Sequence, residues 1–156
     1  MSSRVHRVFV FGTLKEGFPN FATNKGRRVA GDFVTSLAYP FYLVGERHSP
    51  WLVDRPGAGL RVHGQVFEVD DGALAAMDRL ERVAEADGYL RATISVEPVM
   101  EGAKRQAIDV FAYLKPVAQL DASQIRLGPL PEYTPVHAAL YRPRIIDADH
   151  GHPHAL

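Results

Sequence analysis

The stretch "GQVFEVDDGALAAMDRLERVAEADGYLRATISVEPV", residues 64–99, takes the chain from a strand into a helix and back into a strand. Up to Val69 it is rich in Val and Phe. "GALAAMDRLERVAEA" (72–86) then places apolar residues at helical spacing, with Asp70 or Asp71 in the capping position. "YLRATISVEPV" (89–99) returns to strand-forming residues. This is the one long helix the chain offers, so most of its strands follow one another without a helix between them.

Downstream, "RQAIDVFAYL" (105–114) answers residues 89–99 across "MEGAK", the pattern of a β-hairpin. Upstream, Val5–Phe11 reads as a mostly buried strand, and "VAGDFVTSLAYPFYLV" (29–44) as two strands interrupted at Tyr39-Pro40. "PWLVDRPGAGLRVHGQVFEVD" (50–70) reads as a strand, a turn and a strand whose alternation is imperfect. The total is about six strands and one long helix. That predicts an α+β fold, a closed or nearly closed small β-barrel with the helix packed on it, in preference to a doubly wound sheet. Residues 1–145 are expected to form one domain, the Pro-rich segment after Pro116 wrapping it, and residues 146–156 a loosely ordered, His-rich polar tail.

At 156 residues such a domain buries roughly two-thirds of its unfolded surface. The 18 basic and 18 acidic side chains cancel, so no global field draws the protein to nucleic acid or an anionic membrane. The absence of cysteine excludes disulfides, thiolate metal sites and thiol nucleophiles. No apolar run approaches the roughly 20 residues that span a bilayer. A soluble, intracellular protein is expected, cytoplasmic and monomeric, with no nucleic-acid or membrane partner.

Two features carry chemical interest. The first is "RVFVFGTLKEGFPNF" (7–21), where an apolar strand breaks at Gly12. It lacks the Gly-x-x-x-x-Gly-Lys-Ser/Thr spacing of a phosphate loop, so it is either an ordinary turn or a backbone cradle for another ligand. The second is Glu81. On a helical wheel Ala73, Leu74, Met77, Leu80 and Ala84 form the apolar stripe, and Glu81 falls inside it. A carboxylate there loses solvation, which raises its pKa and suits it to proton transfer. A helix already frayed at Glu81, or pairing with a nearby Arg, explains the same residues, and periodicity alone favours those plainer readings.

Other candidates are weaker. "HGHPH" (150–154) has ligand-like histidine density but no preorganised frame, and His48, His63 and His137 are scattered. No Gly-x-Ser-x-Gly elbow is present. Lys25, Arg27 and Arg28 read as a solvated edge, and Trp51 is either core or a pocket wall.

The ordered set "VFVFGTLKEGFPN", "YPFYLVGERHSPWLVDRPGAGLRVHGQVFEVD", "LAAMDRLE" and "GYLRATISV" resembles the γ-glutamylcyclotransferase family, and within it the γ-glutamylamine cyclotransferases (AIG2-like). The resemblance covers about residues 7–97. It implies a mixed β-barrel, with Phe11, Gly12, Thr13 and Leu14 as the substrate-binding loop and Glu81 as the catalytic acid/base. Tyr89 is expected as a further pocket residue, with Arg91 beside it; a hairpin packing residue and a surface Arg explain the same two positions. The family commonly has Tyr where this chain has Phe11.

The implied activity is an intramolecular acyl transfer to the substrate's own amine, of the transferase or lyase class. A γ-glutamyl amine such as ε-(γ-glutamyl)-lysine closes to 5-oxoproline and releases the free amine, with no metal or organic cofactor. Two alternatives share the fold. One is a cyclotransferase for γ-glutamyl amino acids, glutathione or a γ-glutamyl-protected metabolite; the other is a binding module without turnover.

Overall fold

The computed structural model describes residues 4–99 and 106–143. In chain order its strands are β1 (His6–Val10), β2 (Arg27–Arg28), β3 (Phe33–Thr35), β4 (Phe41–Val44), β5 (Ser49–Leu52), β6 (His63–Val69), β7 (Leu90–Pro98), β8 (Ile108–Leu114) and β9 (Ile125–Leu127). Helix α1 (Asp71–Leu80) lies between β6 and β7, and the short α2 (Pro135–Ala138) follows β9.

Strands β1, β8, β7, β3 and β6 pair in that order, and β6 pairs back to β1, which closes a five-stranded barrel. The β1–β8 pairing is parallel and the others are antiparallel, so the barrel is mixed. β2 adds a sixth strand on β6. The expected α+β barrel is thus present, with one rearrangement. Residues 41–44 and 49–52 leave the barrel and form a separate sheet with β9, in the order β5-β4-β9. The hairpin of residues 89–114 is present as β7 and β8, in register from Leu90 opposite Leu114 to Val96 opposite Ile108. Its expected turn, "MEGAK", lies outside the described residues, as does the tail from residue 146.

Two cores explain the alternation pattern. Phe9, Phe11, Val62, Val66, Val110, Ala112 and Leu114 fill the barrel interior. On the outer face Val8, Val10, Phe67, Val69 and Tyr113 pack under α1 against Ala73, Leu74 and Met77. β1 and the end of β6 are therefore covered on both sides. That is why "VFVF" is continuously apolar and why 62–69 alternates poorly.

α1 starts where expected: Asp70 accepts a hydrogen bond from the Ala73 N–H (2.8 Å), and Asp71 in the first turn bonds to His6 (2.7 Å). It stops earlier than the sequence predicts. The helix expected over 72–86 ends at Leu80, with Glu81 as its cap. The Arg82 N–H donates to Arg79 O (3.1 Å) and the Val83 N–H to Asp78 O (3.0 Å), the paired bonds of a Schellman stop. Arg82 holds the left-handed conformation (φ 55°) that glycine ordinarily supplies. Val83 folds back with Leu80 against the core beneath the helix. That burial offsets the strain at Arg82, about 1–2 kcal/mol for an L-residue.

Candidate active site

One wall of the site is the segment that leaves β1. Phe11 keeps its ring in the barrel core, edge-on to Phe41 with centroids 5.3 Å apart. At Gly12 a Cβ would stand 2.9 Å from Pro50 Cγ, so glycine lets the chain pass close against that ring. The loop then folds on itself. Lys15 N–H donates to Gly12 O (3.0 Å), Asn20 N–H to Thr13 O (2.8 Å), and the Asn24 side-chain amide to Leu14 O (3.0 Å). The Asn20 amide also donates to the Thr13 hydroxyl (2.8 Å).

The carbonyls of Gly12, Thr13 and Leu14 are therefore all taken. Among the described residues, their three N–H groups donate to no protein acceptor. Backbone N–H groups in folded proteins are nearly always paired, with protein or with water. Three consecutive open donors in one turn are able to hydrogen-bond an anion or a carbonyl oxygen. Lys15 anchors the turn from behind. It is buried, burial lowers its pKa, and its ammonium donates to Tyr133 O (2.5 Å).

The opposite wall is built by the early end of α1. The Glu81 N–H still donates to Met77 O (2.9 Å), while the helix itself ends at Leu80, as the plainer reading of a helix stopping at Glu81 expected. Residues 82–88 then loop out and return, and the Tyr89 N–H donates to Glu81 O (3.0 Å). Gly88 makes the return possible: a Cβ there would lie 1.7 Å from Arg82 O. The loop is latched from β8 and beyond. Lys115 donates to Asp87 O (2.6 Å) and to the Gln119 side chain (3.0 Å), whose amide in turn donates to Ala86 O and Gly88 O (both 3.1 Å).

Pro50 joins the two walls. Its ring abuts Gly12, and its carbonyl accepts a hydrogen bond from the Tyr89 hydroxyl (2.8 Å). Between the walls lies a cavity of about 590 Å³ including its open mouth, lined by Phe11, Gly12, Thr13, Leu14, Glu81 and Tyr89. Every residue expected at the site thus borders one cavity. Arg91, the residue left open, does not: it pairs with Asp78 (2.5 Å) and stacks on Phe111.

Asn20, Arg47, Ser49, Pro50, Tyr113 and Tyr141 also line the cavity, none of them expected there from the sequence. Tyr113 donates its hydroxyl to Asp78 (2.7 Å). Burial first, and then the Asp78 and Glu81 carboxylates, raise its pKa, so it stays a neutral donor. Tyr141 comes from the segment beyond Pro116: its hydroxyl meets the Asn20 amide (3.3 Å), and Arg142 N–H donates to Arg47 O (3.0 Å). Only the apolar-strand break at Gly12 could have drawn attention to Asn20, eight residues on; the others arrive by non-local packing.

The remaining candidates separate cleanly. Among the described residues no three His, Cys, Asp or Glu side chains converge as metal ligands, and "HGHPH" lies outside them. Arg27 pairs with Glu68, and Arg28 with Glu16 and Asp32, so that edge is charge-compensated. No helix among the described residues is long and apolar enough to cross a membrane.

Residues 8–133 match the family described as gamma-glutamyl cyclotransferase, AIG2-like. A Bos taurus protein named gamma-glutamylaminecyclotransferase is 35% identical over 150 residues, covering 92% of this chain and 85% of that protein. Gamma-glutamylaminecyclotransferase B of Danio rerio is 34% identical over 113 residues, 69% of this chain and 58% of the other. The crystal structure of an AIG2-like protein from Mus musculus superposes with a TM-score of 0.73 at 28% identity, covering 90% of this chain and 97% of that one. With its matched barrel and its match over most of the length, the chain belongs to the gamma-glutamyl cyclotransferase, AIG2-like family.

Proposed function

We propose that the protein is a γ-glutamylamine cyclotransferase, closing a γ-glutamyl amine such as ε-(γ-glutamyl)-lysine to 5-oxoproline and releasing the free amine. The observation that supports this reading is that Glu81 borders the same cavity as Gly12, Thr13 and Leu14, whose N–H groups are open among the described residues. Relatives named for that activity support it.

The substrate supplies its own nucleophile. Its α-amine attacks the γ-carbonyl carbon, the bond from that carbon to the leaving nitrogen breaks, and a five-membered lactam remains. Two protons leave the α-ammonium and two arrive on the departing nitrogen, so the products are a neutral lactam nitrogen and an ammonium. Glu81 takes a proton from the attacking amine and returns one to the leaving amine. The oxygen of the γ-carbonyl gains negative charge as the ring closes, and N–H groups of the Gly12 turn stabilise it or the head carboxylate. Because both reacting groups belong to one molecule, holding the chain folded supplies much of the rate.

The test is chromatographic detection of 5-oxoproline from ε-(γ-glutamyl)-lysine, side by side with γ-glutamyl amino acids and glutathione. Faster release from the isopeptide is expected. Release only from glutathione or γ-glutamyl amino acids would move the assignment to those substrates, and binding without release from any of them would mark a non-catalytic module.

A further inference from the structure

Lys15 is a buried cation that the proton transfers leave unused. Among the described residues it enters no salt bridge. Its ammonium donates to Tyr133 O (2.5 Å) and lies 4.4 Å from the centre of the Phe18 ring. An apolar chain of the same length would pack there without the cost of desolvating a charge. The carbonyl that Lys15 holds stands at the start of the segment that brings Tyr141 to the cavity. Resting on the cyclotransferase reading, we infer that Tyr141 is a further substrate-contacting residue, and that Lys15 and Asn20 are positioning residues that hold its hydroxyl there.

Three observations carry this. The first is how the segment is anchored. Tyr133 is fully buried, its ring 5.6 Å from that of Phe18 and 5.9 Å from that of His137, and α2 follows it. Next, both ends of the segment are tied to the same turn. Lys15 holds the Tyr133 end, and its own N–H donates to Gly12 O (3.0 Å). Asn20 holds the Tyr141 end, and its N–H donates to Thr13 O (2.8 Å). Tyr141 is thus placed relative to the open N–H groups themselves. Finally, the donors can be counted. The Asn20 amide has two hydrogens, and it donates to the hydroxyls of Thr13 (2.8 Å) and Tyr141 (3.3 Å). The Tyr141 oxygen therefore accepts from Asn20 and keeps its own proton, which meets no protein acceptor among the described residues. An O–H donor that lines one cavity with Glu81 and the Gly12 turn is available to an oxygen of the γ-glutamyl group.

The experiment measures kcat, KM and the thermal midpoint in the wild type, Tyr141→Phe, Lys15→Met and the double variant, using the γ-glutamyl substrate that releases 5-oxoproline fastest. Tyr141→Phe should raise KM about tenfold, the scale of one hydrogen bond to a charged or strongly polar oxygen, with kcat close to that of the wild type. Lys15→Met should raise KM by a similar factor while its thermal midpoint holds or rises, which a merely structural role would not produce. The double variant should be no worse than the worse single one, because both lose the same contact. Asn20→Ala breaks the other tie and should act alike, so the cycle does not hang on Lys15→Met alone. An unchanged KM in Tyr141→Phe would overturn the contact. A lowered midpoint with KM kept in Lys15→Met, or KM effects that multiply in the double variant, would overturn the positioning role. A wild type that releases 5-oxoproline from no γ-glutamyl substrate would overturn the cyclotransferase reading and this inference with it.

Discussion

The two walls of the cavity are made in opposite ways. The Gly12 wall is a compact turn whose carbonyls are all bonded and whose three N–H groups are open among the described residues, so it offers backbone and is indifferent to most side chains except where Pro50 presses on it. The Glu81 wall offers one side chain, held by a loop that needs a strained Arg82, a glycine at 88 and a latch from Lys115 and Gln119. Each kind of change should therefore act in a different place. Chemistry should fail by altering Glu81 itself, geometry by altering what holds it, and ground-state binding by altering the Gly12 turn.

The largest expected effect is at Glu81. Glu81→Gln keeps the shape and removes the proposed proton carrier, so kcat should fall by about 10²–10⁴-fold with the thermal midpoint unchanged. A variant turning over as fast as the wild type would assign the proton transfers elsewhere. Gly88→Ala comes next, because its methyl cannot coexist with Arg82 O at 1.7 Å. Urea unfolding should show a loss of about 1–3 kcal/mol, and kcat should fall as Glu81 and Tyr89 shift. Stability lost with kcat kept would detach the loop from catalysis.

Gly12→Ala presses on a proline ring 2.9 Å away, which can yield a little. Its kcat/KM should fall about tenfold, ~1.4 kcal/mol of transition-state stabilisation, with most of the change in KM. The smallest effect is expected from Arg82→Gly. Relief of the left-handed strain offsets the loss of its exposed pairs to Glu85 and Asp87, for a net gain of up to about 1 kcal/mol by urea unfolding. A large loss instead would mean that the pairs, not the backbone, hold the loop.

How much of this was legible beforehand divides along the same line. The Gly12 wall was readable because a buried strand stopping at glycine is a local signal. Glu81 was readable as a candidate near the helix end, but what ends the helix there was not. "ERVAEA" has good helix-forming residues and no glycine at 82; the stop depends on Val83 reaching the core and on Gly88 closing behind Arg82. The departure of residues 41–52 into their own sheet was equally hidden, because β9, the strand that pairs with β4, comes from a Pro-rich segment about 80 residues later. Trp51, ambiguous in sequence between core and pocket, resolves only when Lys115 is placed over it. Local periodicity was enough for the barrel and its exit loop, and non-local packing decided the rest.

On the proposed function, the open N–H groups of the Gly12 turn receive the γ-glutamyl head that Glu81 acts on. The most direct test is an ¹⁵N-labelled titration of the wild type and of Glu81→Gln with 5-oxoproline, following backbone amide shifts. Saturable shifts centred on Gly12, Thr13 and Leu14 are expected in both proteins. Saturable shifts centred elsewhere, with those three amides unmoved, would contradict that role of the turn.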